Sequence, residues 1–112
     1  MLQPSNIWLA VEPVDMRLGI DGLSLRVQEA LGGSPCNGAA YVFSNRRRNR
    51  LKLIGWDGNG VWLCQRRLHH GHFIWPQLGD AVCEMTTSQW QYLIAGIDWR
   101  RVSATAPAHW RL

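Results

Sequence analysis

The run Arg46-Arg47-Arg48-Asn49-Arg50, continued by Lys52, puts five basic side chains into seven residues. A guanidinium is a planar fork that keeps its charge at every physiological pH and fits phosphate oxygens two at a time. Carried at the tip of a two-stranded ribbon, such a cluster can enter a major groove or track a phosphate backbone. The same run also suits a solvated turn whose charge keeps a sheet from aggregating. A second basic segment holds Arg66, Arg67, His69, His70 and His72, with Trp62 and Trp75 nearby as rings on which a base could stack. Aromatic residues on strands more commonly pack a core. Arg100 and Arg101 form a third basic pair. The candidate nucleic-acid-binding set is therefore Arg46, Arg47, Arg48, Arg50, Lys52, Arg66, Arg67, Arg100 and Arg101. Within it the tip from Arg46 to Arg50 should supply the largest share of affinity, and as a surface turn it should be dispensable for the fold.

Other constellations are weaker. His69, His70 and His72 lie near Cys64, and imidazole with thiolate binds zinc, but adjacent strand residues face opposite sides and no second ligand pair stands at a recognisable interval. Asp15, Asp57, Glu84 and Asp98 could be imagined as a two-metal carboxylate set. Each has a simpler local role: Asp57 in a Gly-rich turn, Asp15 or Asp21 at a helix start, Asp98 beside the arginines. Neither a nucleophile elbow, a phosphate-binding loop nor a Cys-His pair with an orienting group is present. The expectation is no catalytic residue, no metal and no cofactor.

The elements that must carry these residues follow from periodicity. Ile7–Val11 reads as a strand ended by Pro13. Ile20, Leu23, Val27, Ala30 and Leu31 recur at helical spacing before Gly32-Gly33, with Leu25 off the apolar face. Ala39–Ser44, Leu51–Trp56 and Val61–Leu68 are rich in β-branched, aromatic and aliphatic residues and should form a meander. The turn Asp57-Gly58-Asn59-Gly60 joins the last two. Phe73–Trp75 and Ala81–Met85 are candidate edge strands. Thr86 with Gln89 makes a capping box, after which Trp90, Leu93, Ile94 and Ile97 keep helical spacing. From about residue 102 the tail, with Pro107, should be less regular. The predicted fold class is α+β, a single domain over 1–112 with a mainly antiparallel sheet packed by two helices. Its single core should include the helices' apolar faces and most of the Trp residues.

Composition agrees with a globular chain: 112 residues, 46% hydrophobic, 18% charged and seven Trp. The formal charge of +4 is mostly Arg and favours anionic partners, a modest argument since net positive charge also serves solubility. Cys36, Cys64 and Cys83 are odd in number and widely spaced, which suits a reducing compartment. Met1–Ala10 has no basic region before an apolar run, and no stretch nears the roughly 20 apolar residues of a membrane span. A cytoplasmic protein without membrane contact is expected.

Ordered words extend over most of the chain: Asp15-Met16-Arg17, Gly19, Asp21-Gly22-Leu23, Val42-Phe43 before the basic turn, and Leu51-Lys52-Leu53. They continue with Trp56-Asp57-Gly58, Gly60, Arg67-Leu68, Gly71, Phe73, Trp75-Pro76 and Gly96-Ile97-Asp98-Trp99-Arg100-Arg101. In this order and spacing the chain resembles the TnpB-type accessory proteins of the insertion sequence sixty-six family. Leu18 and His72 stand where that family commonly has basic residues, and Gly55 where it commonly has a second Trp. A phosphate contact at His72 would depend on pH.

The resemblance implies a non-catalytic bacterial protein that assists transposition beside a separate transposase. Joined to the basic tip, it leads to DNA as the expected partner, with the element-encoded transposase and the third element-encoded protein as further partners. The sequence leaves a second reading open, an adaptor that contacts the transposase through the basic tip and the Trp-containing tail without binding DNA.

Overall fold

In the computed structural model, residues 6–31, 38–77 and 82–100 are described. The elements are β1 (Asn6–Ala10), α1 (Ile20–Leu31), β2 (Ala39–Ser44), β3 (Arg50–Trp56), β4 (Val61–Arg67), β5 (Val82–Met85) and α2 (Thr87–Ile94). The five strands form one sheet in the order β4-β3-β2-β1-β5. β1 runs parallel to β2, and every other neighbouring pair is antiparallel. The fold is α+β, with the expected β2-β3-β4 meander at its centre and edge. The parallel pair follows from α1, which lies between β1 and β2 in sequence and carries the chain back to the starting end.

All six residues of β2 are buried, the signature of a strand covered on both faces. Alternation along it separates two layers. Tyr41 and Phe43 join Ile54 of β3 and Leu23 and Val27 of α1. Ala40 and Val42 join Leu51 and Leu53 of β3, Leu93 of α2, Phe73, Trp75 and Trp99. The expected single core is thus divided by the sheet, because each helix covers a different face.

Several local expectations need correction. Phe73–Trp75 is not a strand. Pro76 follows it, and its polar groups find irregular partners: the Phe73 amide donates to the Arg48 carbonyl at 2.6 Å and the Trp75 indole to the Ala10 carbonyl at 2.8 Å. Of the described Trp residues, Trp75 and Trp99 alone are fully in the core, whereas Trp8, Trp56 and Trp90 pack at its margins and Trp62 is exposed. Residue Trp110 lies outside the described residues. On α1, Leu23 and Val27 reach the sheet but Ile20 and Ala30 are exposed, since one turn of the helix already spans the contact. Leu25 is exposed, as its position off the apolar face requires.

The capping box forms as expected, with the Gln89 amide donating to the Thr86 hydroxyl and the Thr86 amide to the Gln89 side chain. At the other end α2 stops before Ile97. Gly96 has φ 76°, its amide donates to Leu93 O, and the Ile97 amide donates to Tyr92 O. This is a Schellman closure, which needs a left-handed residue and selects Gly. Ile97 is consequently exposed rather than on the helix's apolar face.

Candidate nucleic-acid interface

The connection between β2 and β3 is organised by Asn45, whose side-chain oxygen accepts the amides of Asn49 and Arg50, both at 3.1 Å. Its amide group donates to Asn49 Oδ1 at 2.7 Å. Such side-chain capture of following amides is why Asn initiates turns, a signal legible in the sequence but masked there by the charge run. The turn closes with Arg48 at φ 58°, in the left-handed region.

Arg48 does not face outward. Its guanidinium donates to the Ser44 hydroxyl at 2.6 Å and the Val11 carbonyl at 2.9 Å, and lies 5.4 Å from the centre of the Trp75 ring. Burial lowers its pKa, with Glu12 opposing and Arg46 adding to that shift. A guanidinium remains charged at neutral pH regardless. Arg48 therefore ties the turn to the segment after β1 and to the loop after β4, so its side chain, unlike those of Arg46 and Arg47, is engaged within the fold rather than solvated as a surface turn would have it.

The other candidates divide in the same way. Lys52 is buried, and its ammonium donates to the Leu18 carbonyl at 2.9 Å. Arg66 Nε donates to the Ile94 carbonyl at 2.6 Å, at the C-terminal end of α2, where a cation complements the helix dipole. Arg100 pairs with Asp98 at 2.8 Å. Arg101 lies outside the described residues. Arg46 and Arg47 are exposed, and neither guanidinium has a hydrogen bond or ion pair among the described residues. Arg67 is exposed and sits directly opposite Arg50 across β3 and β4. Like charges in that position repel, and Arg50 Nε is buried without a partner.

Tertiary structure thus gathers residues separated in sequence. The Leu68 amide donates to the Asn49 carbonyl at 2.9 Å, so the end of β4 lies against the β2–β3 turn. Arg46, Arg47, Arg50 and Arg67 share one end of the sheet, with the exposed His69, His70 and His72 following β4. A cleft of about 740 Å³ opens beside them, walled by Phe73, Trp75 and Trp99 and edged by Arg48, His72 and Arg100. The arrangement can hold anionic oxygens at its surface. Among the described residues no group of three or more His, Cys, Asp or Glu is placed to hold a metal.

Two acidic residues have clear structural roles. Asp57 accepts the amides of Asn59 and Gly60 and the Trp62 indole, the last at 2.7 Å, and these bonds hold its pKa below the usual carboxylate value, with Trp62 the largest cause. Asp15 is lowered to about 2, chiefly by its bidentate contact with Arg17. Arg17 enters the sequence reading only within the word Asp15-Met16-Arg17, and its i, i+2 spacing from Asp15 is the signal for the ion pair.

Comparison with known proteins gives a consistent result. The family described as IS66 Orf2 like protein matches residues 5–104. Two proteins of Sinorhizobium fredii (strain NBRC 101917 / NGR234) are similar, both described as uncharacterized. The protein y4hO is 40% identical over 103 residues, covering 92% of this chain and 90% of its own. The protein y4jC is 40% identical over 105 residues, covering 91% and 90%. No solved structure matches the chain significantly.

Proposed function

Since the chain belongs to the IS66 Orf2-like family, a group associated with insertion-sequence transposition, we propose that it assists transposition by binding DNA through the basic end of its sheet. The observation that supports this is the outward, internally unengaged placement of Arg46 and Arg47 beside the opposed Arg50 and Arg67. A phosphate between or near such groups relieves their mutual repulsion while gaining charge-assisted hydrogen bonds. Arg48 and Lys52 contribute indirectly by fixing the turn and strand that present them. Arg66, Arg100 and Arg101 remain auxiliary contacts in this reading. The protein acts in the cytoplasm, without catalysis of its own, beside the transposase that cuts and joins DNA.

The test is duplex binding as a function of salt, for the wild type and for Arg46→Gln/Arg47→Gln/Arg67→Gln. If each of these arginines neutralises one phosphate, the variant's log–log salt slope is shallower by about 2.7, at about 0.9 per contact. Unchanged affinity and slope in a folded variant would exclude this surface. Loss of transposase association without any DNA binding by the wild type would make the protein an adaptor instead.

A further inference from the structure

β4 is an outer strand of the sheet and the most exposed one, seven residues long with neither Pro nor Gly in it. Among the described residues, charged side chains at one end are its sole guard against pairing with another chain. Its outward backbone groups can be identified. Leu68 donates its amide to Asn49 on the inner side, and backbone direction alternates along a strand. The amides of Trp62, Cys64 and Arg66 therefore point to β3, and those of Val61, Leu63, Gln65 and Arg67 point away from the sheet. Among the described residues no strand pairs with that outer side.

We propose that β4 pairs with β4 of a second copy, antiparallel about a two-fold axis at Cys64, joining two sheets into one. The inference is independent of DNA binding. Only the register centred on Cys64 pairs all seven residues of the strand. It sets Val61 against Arg67 of the second copy, Trp62 against Arg66, Leu63 against Gln65, and Cys64 against itself.

Three features fit this occupant. The outward-pointing residues Val61, Leu63, Gln65 and Arg67 become the hydrogen-bonded pairs, and Trp62, Cys64 and Arg66 become the closer, non-hydrogen-bonded pairs. Trp62, 39% exposed and with its indole N–H held by Asp57, then faces Arg66 of the second copy. That Arg66 keeps its Nε on the Ile94 carbonyl while its positive charge lies across the strands from the ring, a favourable cation–π pairing that the symmetry makes twice. The strand is also electrically polar, with Asp57 before one end and Arg66, Arg67, His69 and His70 at or beyond the other. Antiparallel pairing matches opposite ends, while a parallel pair would oppose like charges. The two copies of Arg67 end up about 20 Å apart along the joined strands, so each copy's basic end is displayed separately.

The experiment uses the full chain with Cys36→Ser and Cys83→Ser, leaving Cys64 as the reporter. Light scattering should give twice the monomer mass, and copper phenanthroline with oxygen should link the two Cys64 thiols, their two electrons and two protons passing to the oxidant. Cα atoms of a non-hydrogen-bonded pair lie about 4.5 Å apart, within reach of a disulfide. Gln65→Pro removes an outward amide at a position an edge strand tolerates, and should give a folded monomer. As a second pair of variants, Trp62→Arg should weaken dimerisation about tenfold by opposing Arg66 with like charge, whereas Trp62→Glu should not weaken it. A monomer at concentrations on the order of 100 μM, or a dimer that does not cross-link through Cys64, would overturn the proposal. So would equal dimerisation by both Trp62 variants.

Discussion

Replacing Arg48 by Gln should destabilise the protein far more than replacing its neighbours. Gln is too short to reach both Ser44 and Val11 and brings no charge to the Trp75 ring. The change removes two hydrogen bonds from a charged donor, each worth about 1.5–3 kcal/mol, and a cation–π contact worth about 0.5–1 kcal/mol. Part of this is offset because the guanidinium is only half-buried and Gln can make one replacement bond. Ser44, however, is fully buried and loses the donor to its hydroxyl. A net loss of about 2–3 kcal/mol is expected, or a fall in melting temperature of about 10 °C or more. Urea and thermal unfolding followed by tryptophan fluorescence measure it, with Arg46→Gln/Arg47→Gln as the control, expected within about 0.5 kcal/mol of wild type. Arg48→Lys should fall between, since an ammonium keeps charge but not the two-pronged geometry. If Arg48→Gln and the control are equally stable, the inward guanidinium does not anchor the turn.

Thr86→Ala should cost about 1 kcal/mol by removing half of the capping box of α2, read from the urea midpoint, while Thr86→Ser should be nearly neutral. Asp57 is depressed in the folded state, so its contribution to the turn is full above the unfolded value of 3.8 and is lost as pH falls through the lower folded value. Loss of amide protection at Asn59 and Gly60 in acid, absent near neutrality, checks the sign, and an Asp57 titration at or above 3.8 would contradict it. The Asp15 carboxyl should titrate near pH 2 by carbon-detected NMR and return toward 3.8 in Arg17→Gln, with little effect on stability because the pair is exposed. Elemental analysis should find no stoichiometric zinc, and a metal whose chelation unfolds the chain would contradict this.

The elements were legible because each has a local cause. β2 shows an unbroken apolar run, the 57–60 turn has an Asp that can capture amides and a Gly at positive φ, and α2 begins at a capping box. The basic tip was equally visible as composition. Which of its charges face water was not, because Arg46, Arg47 and Arg48 are the same residue type at adjacent positions. Their difference depends on a left-handed backbone at Arg48, on Val11 brought alongside by the parallel β1–β2 pair, and on Trp75 delivered by a loop that forms no strand. Likewise Lys52 and Arg66 read as free cations until the Leu18 and Ile94 carbonyls are placed beside them. The sequence by itself determined the family, the elements and the positive charge, since these depend on residue type and short-range spacing. Tertiary structure alone decided which cations are engaged within the fold and which stay exposed at its surface. A side-chain cation takes whatever acceptor the chain brings within hydrogen-bonding distance, and the Val11, Leu18 and Ile94 carbonyls that engage Arg48, Lys52 and Arg66 lie 28 to 37 residues away in sequence.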